Sequence, residues 1–194
     1  MAVVKSLCVY CGSSAAVDAR YRAAASGLGA LAAANGIEIV YGGGRVGLMG
    51  LVAEAALAAG GRVTGIIPQL LHEREVAHTG LSRLLIVANM HERKQRMFEL
   101  SDAFVTLPGG LGTLDETIEI ITWKQLGLHD KPLIIVDVDN YWAPLRALFE
   151  HVIATGFTAA GARSFFRVVS DIVEVLPAIA ALPEPTLLGK STLV

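Results

Sequence analysis

The sequence predicts a single α/β domain in which a doubly wound parallel sheet carries helices on both faces. Short apolar runs rich in β-branched residues alternate with longer helical segments along the chain. Two of these runs end directly in glycine loops that open a helix. Of the 194 residues, 53% are hydrophobic and only 18% are charged, which is typical of strands buried on both faces.

The strands are predicted where four to eight consecutive residues are mainly apolar. They cover residues 3–10, 37–41, 63–67, 84–87, 103–107, 133–136 and 166–169. The helices are predicted in the longer intervening stretches, the first rich in alanine and the second stopped by Gly60 and Gly61. They cover residues 21–34, 48–59, 91–101, 113–126, 141–155 and 171–181.

Connections between these elements complete the predicted Rossmann-like fold. Residues 68–82 form the most polar connection and are a candidate lid or partner surface. We expect residues 1–183 to form this single domain and residues 184–194 to form a loose tail.

Composition excludes several classes of protein. Mean hydropathy is +0.53, but the longest stretch without a charge, residues 23–37, is shorter than the roughly 20 residues that span a bilayer. The net charge is −2 without a basic block, so we expect neither a membrane nor a nucleic-acid partner. Cys8 and Cys11 form no disulfide framework, which favours the cytoplasm.

The first glycine loop, residues 42–47, follows a predicted strand and contains a G-x-G-x-x-G match. Backbone N–H groups of residues such as Gly43 and Gly44 can approach an anion there. The next strand ends at Pro68 without the acidic residue that binds a dinucleotide ribose, which favours a phosphate or a mononucleotide. Tight packing of strand and helix without any ligand is the alternative. Ser13, after Gly12, either caps a helix or touches a ligand.

The second glycine loop, residues 108–112, also follows a strand and opens a helix. Backbone N–H groups of Gly110, Gly112 and Thr113 can form an anion nest, and the Thr113 hydroxyl can donate to a phosphate oxygen. Because both loops leave parallel strands at the same sheet edge, they suit one phosphorylated ligand.

Glu116 admits two interpretations. Thr113-x-x-Glu116 has the spacing of a capping box, in which the glutamate would bond the Thr113 backbone N–H. Glu116 also shares a helix face with Ile120 and Trp123. A carboxylate at the head of an apolar stripe beside a phosphate nest is placed to act as a base or to stabilise a cation.

Arg93 shares a helix face with Met90, Met97 and Leu100. A cation on an apolar stripe needs a partner, because an unpaired buried charge is very costly. That partner is a carboxylate such as Glu116 or an anionic ligand; otherwise Arg93 is a surface side chain that extends to water.

The segment 108–116 matches the PGGxGTxxE motif of the LONELY GUY (LOG) family of cytokinin riboside 5′-monophosphate phosphoribohydrolases. The sequence resembles this family over nearly the whole chain. Other marks of the resemblance are the segments 11–14, 41–44, 47–50, 90–94 and 122–127. Members often carried an older lysine decarboxylase label, but the sequence has no identifiable pyridoxal-phosphate lysine motif.

The resemblance implies hydrolysis of the N-glycosidic bond of N6-isopentenyladenosine-type monophosphates, and also of AMP, to free base and ribose 5-phosphate. It assigns Arg93 and Glu116 to catalysis. Substrate contacts are assigned to the following residues: Glu75, Lys94, Gly110, Leu111, Gly112, Thr113, Leu114, Asp115 and Thr122. To these the loop arguments add Gly12, Ser13, Gly43 and Gly44, and the segment 90–94 adds Met90.

We expect no cofactor and no metal, because the five histidines show no ligand spacing and two cysteines cannot complete a zinc site alone. The resemblance also implies a homodimer or higher homo-oligomer with the site near the interface. Glu73 competes with Glu75 for the contact in the polar connection. A general AMP nucleosidase and a non-catalytic nucleotide sensor remain open as alternatives.

Overall fold

The computed structural model describes residues 4–74 and 78–183. Seven strands occur in this part of the chain: β1 (Ser6–Tyr10), β2 (Glu38–Tyr41), β3 (Val63–Pro68), β4 (Arg83–Val87), β5 (Ala103–Thr106), β6 (Leu133–Val136) and β7 (Arg167–Val169). The α-helices are α1 (Ala19–Ala34), α2 (Gly47–Ala58), α3 (Gln69–Arg74), α4 (Met90–Glu99), α5 (Leu111–Gln125), α6 (Ala143–Ala154) and α7 (Val175–Ala180). Short 3₁₀ turns cover Val138–Asn140, Ala160–Ser164 and Ile172–Glu174.

All strand pairings are parallel, and the sheet order is β4-β3-β2-β1-β5-β6-β7. The chain builds outward from β1 to β4 on one side and then from β5 to β7 on the other. The order therefore reverses between β1 and β5, where Leu7 pairs with both Ile39 and Ala103. A reversal of this kind opens a crevice at the carboxyl ends of the strands. The predicted doubly wound parallel sheet is confirmed.

Two hydrophobic cores lie on opposite faces of the sheet. Leu7 and Val9 of β1 pack into a cluster with residues of α1, α2 and α7, whereas Cys8 and Tyr10 pack with residues of α4 and α5. Successive side chains of a strand point to opposite faces, so each apolar strand serves both cores. The continuous apolar runs in the sequence follow from this double burial.

Some boundaries differ from those predicted. The polar connection 68–82 contains α3, which the sequence reading missed, while residues 75–77 lie outside the described part. The last predicted helix is split into a 3₁₀ turn and α7, because the Asp171 and Glu174 side chains form a capping box around the turn. The predicted tail, residues 184–194, also lies outside the described residues. Among the described helices, none is long and apolar enough to cross a membrane.

Candidate active site

The glycine loops after β2 and β5 flank the end of β1. The Gly12 N–H donates to the Pro108 carbonyl oxygen at 3.1 Å, and the Leu48 N–H donates to the Gly12 carbonyl oxygen at 2.9 Å. These bonds join the three strand ends around a cavity of about 300 Å³, bordered by Gly12, Ser13 and Gly110 among others. The second loop therefore borders this crevice directly, and Leu48, which follows the first loop, also lines it.

The first loop has the conformation that its glycines suggest. Gly43 and Gly47 have positive φ angles of 78° and 69°, and Gly44 is buried between them. Ser13 lies against Gly47, where a side chain would collide with the Ser13 backbone. The α1 helix is capped instead by Asp18, whose carboxylate accepts from the Arg20 N–H, so the capping role considered for Ser13 is wrong for this helix.

The second loop is shorter than predicted, because α5 begins at Leu111 with Gly110 as its N-cap. The first bond of the helix runs from the Leu114 N–H to the Gly110 carbonyl oxygen at 3.0 Å. The N–H groups of Leu111, Gly112 and Thr113 therefore have no acceptor within the helix, and they form a cluster of donors at its positive end. Leu111 joins the predicted nest as a result.

Glu116 does not form the capping box. Its carboxylate is buried and lies 3.3 Å from Nη1 of Arg93, measured to Oε1. Arg93 is only 8% exposed, so the alternative of a surface arginine is wrong, and the predicted carboxylate partner is confirmed. The capping interpretation failed because the helix starts two residues before Thr113. This start leaves Glu116 in the second turn.

Arg93 is held in place by the backbone around it. Its Nε donates to the Ile66 carbonyl oxygen at 3.2 Å, at the end of β3. A Cβ atom at Gly42 would collide with the guanidinium group, so glycine at the end of β2 creates the space that Arg93 occupies. The α4 helix starts at this point because the Asn89 side chain caps it, accepting from the Glu92 N–H at 2.9 Å.

Burial dominates the electrostatics of Glu116. It raises the pKa of the carboxyl from 4.5 to about 7, against the opposing attraction of Arg93. The negative charges of Asp115 and Glu119 add to the rise, and Lys94 opposes it. Near neutral pH the group therefore exists in both protonation states, as suits a catalytic carboxyl.

Lys94 bridges α4 and α5. Its Nζ lies 2.9 Å from Oε1 of Glu119 and 3.2 Å from Oδ2 of Asp115. Burial lowers the pKa of Lys94, but hydrogen bonds to Glu119 and Asp115 outweigh this effect and raise it. Glu119 was missed in the sequence, although its spacing of four residues from Asp115 places both carboxylates on one helix face.

The remaining predicted contact residues lie at different distances from the crevice. Met90 is beside the pair, with its Sδ 3.9 Å from Nη1 of Arg93. Leu114 instead packs against the core cluster of Ile135, Trp142 and Leu145, so only its backbone lies at the loop. Thr122 lies nine residues beyond Thr113, roughly 14 Å along the helix, and its hydroxyl donates to the Ile118 carbonyl oxygen. Glu75 lies outside the described residues.

Cys8 and Cys11 do not form a common redox or metal site in the described structure. Cys8 and Cys11 are both buried, and they belong to the cores on opposite faces of the sheet. Burial raises the pKa of the Cys8 thiol to about 12, so the thiolate that redox or metal chemistry needs is suppressed.

The chain is similar in sequence to proteins of one known family. Residues 49–179 match the model of a family described as "Possible lysine decarboxylase". A probable cytokinin riboside 5′-monophosphate phosphoribohydrolase of Oryza sativa subsp. japonica is 49% identical over 157 residues, which are 81% of this chain and 70% of that protein. The cytokinin riboside 5′-monophosphate phosphoribohydrolase of Rhodococcoides fascians is 44% identical over 90% of this chain and 89% of its own.

Solved structures share the fold. The molybdenum cofactor binding protein from Rippkaea orientalis superposes with a TM-score of 0.69 at 20% identity, covering 91% of this chain and 95% of that chain. A protein solved as TM1055 gives a TM-score of 0.68 at 22% identity. At such identities the likeness concerns architecture alone.

Proposed function

The chain belongs to the LOG family of cytokinin riboside 5′-monophosphate phosphoribohydrolases, and from this premise we propose how its own residues perform the reaction. The protein is an N-glycosyl hydrolase that cleaves cytokinin riboside 5′-monophosphates to free base and ribose 5-phosphate. Water supplies a hydroxyl group to C1′ of the ribose and a proton to the departing base. The electron pair of the glycosidic bond leaves with the base.

The observation that carries the proposed residue roles is the buried ion pair of Arg93 and Glu116 beside the helix start that faces the crevice. Departure of the base leaves a cation-like ribose, which a fixed carboxylate stabilises in a site of low polarity. Glu116 fills this role in its ionised form and also accepts a proton from the attacking water. Arg93 orients Glu116 and contacts the sugar.

The loops bind the 5′-phosphate. The free N–H groups of Leu111, Gly112 and Thr113 point along the axis of α5, where its dipole favours an anion. Gly110 contributes the N–H immediately before the helix. Binding energy from the phosphate aligns C1′ with the Glu116 carboxylate, so the remote group accelerates the reaction at the sugar.

The other predicted residues complete the binding site. Gly12 and Ser13 border the crevice, and the backbone N–H groups of Gly43 and Gly44 are proposed to contact the ligand from the first glycine loop. On helix α4, Met90 borders the base of the substrate. Lys94 of α4 and Asp115 of α5 form a charged edge of the binding site. The Leu114 contribution comes from its backbone, and Glu75 is proposed to contact the substrate from the polar connection 68–82.

The protein is further proposed to be a cytoplasmic homodimer or larger homo-oligomer. Exposed apolar side chains follow one face of α5 at Leu111, Ile118 and, at its end, Leu126. Thr122 lies on the same face, too far from the loop of its own subunit to reach that phosphate. A subunit contact through this face places Thr122 next to the partner's site.

Release of free base tests the proposal. The protein is incubated with N6-isopentenyladenosine monophosphate, AMP and the two matching nucleosides, and the free base is measured. Both nucleotides should be cleaved, while the nucleosides should react far more slowly because they lack the phosphate anchor. Cleavage of AMP alone would indicate a general AMP nucleosidase. Tight binding of AMP without release of adenine would indicate a sensor.

A further inference from the structure

We propose that Tyr141 is a positioning residue of the second glycine loop. Its hydroxyl group donates to the Gly109 carbonyl oxygen at 2.7 Å and thereby fixes the peptide plane between Gly109 and Gly110. The inference rests on the proposed function, in which this loop binds the 5′-phosphate of the substrate. Tyr141 follows β6, the strand that pairs with β5, and lies 32 residues beyond Gly109 in the sequence.

The geometry of the peptide bond makes this contact effective. In a planar trans peptide the carbonyl oxygen and the following N–H group point in opposite directions. A hydrogen bond that fixes the Gly109 carbonyl therefore fixes the Gly110 N–H, which opens the donor cluster at the start of α5. An accepted hydrogen bond also polarises the peptide unit, so its N–H becomes a better donor to an anion.

The loop needs such an external support because glycines occupy both sides of that peptide plane. Glycine has the greatest backbone freedom of all residues. A Cβ atom at Gly109 would collide with the Thr113 side chain and would come within 2.9 Å of the Gly12 nitrogen. Close packing thus requires glycine at this position, and a stiffer residue cannot replace it. Tyr141 supplies the missing constraint.

The backbone before Tyr141 is held in an unusual conformation. Asp139 and Asn140 have positive φ angles of 52° and 57°, the left-handed region that only glycine adopts freely. The Asp139 carboxylate pairs with the Arg20 guanidinium group of α1, which holds the turn in place. Aspartate and asparagine adopt this region more readily than other non-glycine residues, and the turn that they form brings Tyr141 to the loop.

The backbone and ring of Tyr141 are secured independently of its hydroxyl. The following residue, Trp142, donates its N–H to Oδ1 of Asp137 at 2.6 Å. The Tyr141 ring contacts the rings of Tyr21 and Trp142 edge to face, with centroids 5.4 and 4.8 Å away. Replacement by phenylalanine therefore removes the bond to the loop and retains the packing.

The test compares Tyr141→Phe with Tyr21→Phe. Both variants lose one phenolic hydroxyl within the same ring contact, but the Tyr21 hydroxyl makes no hydrogen bond to the described residues of the loop. Calorimetry measures the binding of ribose 5-phosphate and of adenosine, which has no phosphate. We expect Tyr141→Phe to weaken ribose 5-phosphate binding about fivefold, the effect of one ordinary hydrogen bond. Its affinity for adenosine should stay unchanged. Tyr21 borders the same cavity but makes no bond to the loop, so Tyr21→Phe should not reproduce this selective loss for ribose 5-phosphate.

Steady-state kinetics give a second measurement. The KM of Tyr141→Phe for the nucleotide should rise by about the same factor while kcat stays within about twofold, because the hydroxyl acts on the phosphate loop and not on C1′. Wild-type affinity of Tyr141→Phe for ribose 5-phosphate would overturn the inference. Equal losses for ribose 5-phosphate and adenosine would also overturn it, since they would indicate a general structural defect.

Failure of the proposed function has a different signature. If the wild-type protein releases no base from any nucleotide, the function is wrong, but the binding of ribose 5-phosphate still reports on Tyr141. A wild-type protein that binds no ribose 5-phosphate would refute the phosphate loop and the role of Tyr141 together. Release of base by the wild type with unaltered binding by Tyr141→Phe refutes the role of Tyr141 alone.

Discussion

Replacement of Glu116 by glutamine should abolish most base release and also flatten the pH dependence of the protein's stability. The glutamine side chain has nearly the same shape as the glutamate but cannot ionise. Burial raises the pKa of the Glu116 carboxyl from 4.5 to about 7 in the folded protein. The folded state therefore binds this proton more tightly than the unfolded chain does.

The sign and size of the effect follow from linkage. The favourable contribution of the protonated group is complete below pH 4.5 and is lost as the pH rises through 7. A rise of about 2.5 in pKa corresponds to about 3 kcal/mol of unfolding free energy. Between pH 5 and pH 8, the wild-type protein should thus lose about 2 to 3 kcal/mol that the Glu116→Gln variant does not lose.

Urea unfolding at pH 5, 6, 7 and 8 measures this difference. Contributions from other titrating groups are common to both proteins and cancel when the two pH profiles are subtracted. Glu54→Gln, at an exposed position of α2, is the matched control and should retain the wild-type profile. Parallel profiles for the wild type and Glu116→Gln would refute the assignment of a raised pKa to this buried carboxyl. Near-wild-type base release by Glu116→Gln would refute its catalytic role.

Other consequences of the site can be measured directly. The kcat/KM of the wild type should rise with pH, with an inflection near 7, because the buried carboxylate acts in its ionised form; a flat profile from pH 6 to 8 would contradict this. Gly42→Ala should lower kcat/KM at least about 100-fold by displacing the buried arginine, whereas Gly161→Ala, with open space around its Cβ position, should have no effect. Lys94→Met should raise KM more than it lowers kcat, and an unchanged KM would argue against its contact with substrate. Ile118→Glu with Leu126→Glu should convert the proposed oligomer to monomers in analytical ultracentrifugation, and an unaltered sedimentation coefficient would exclude this face as the contact.

Much of the fold could be predicted because its signals are local. Each of the strands is a short apolar run, and a glycine loop follows two of them at the sheet edge where ligands bind. The boundary at the second loop could not be predicted in this way. The segment 110–112 reads as loop because glycine is a poor helix former, but the packing of Gly109 against Gly12 and Thr113 allows the helix to start at Leu111. The short helix α3 was missed because its six residues lie in a polar connection.

Less of the candidate site than of the fold could be predicted from the sequence. Local spacing favoured a capping role for Glu116 over a pairing with Arg93, and only the contact between α4 and α5 shows that the pairing is correct. The family motif indicated the pair, yet it could not reveal that Leu114 turns into the core or that Tyr141 reaches Gly109. Contacts between residues far apart in sequence leave no periodic signal in the chain. These contacts determine which polar residues become buried and which remain in water.

The ion pair of Arg93 and Glu116 also has a consequence for folding. Arg93 follows β4, the last strand of one half of the sheet, whereas Glu116 follows β5, the first strand of the other half. A chain with only one half assembled would bury a charge without its counterpart, which is strongly unfavourable. The pair therefore disfavours partly assembled states and makes the two halves cooperate. Recovery of base release during refolding should accordingly coincide with completion of the whole sheet.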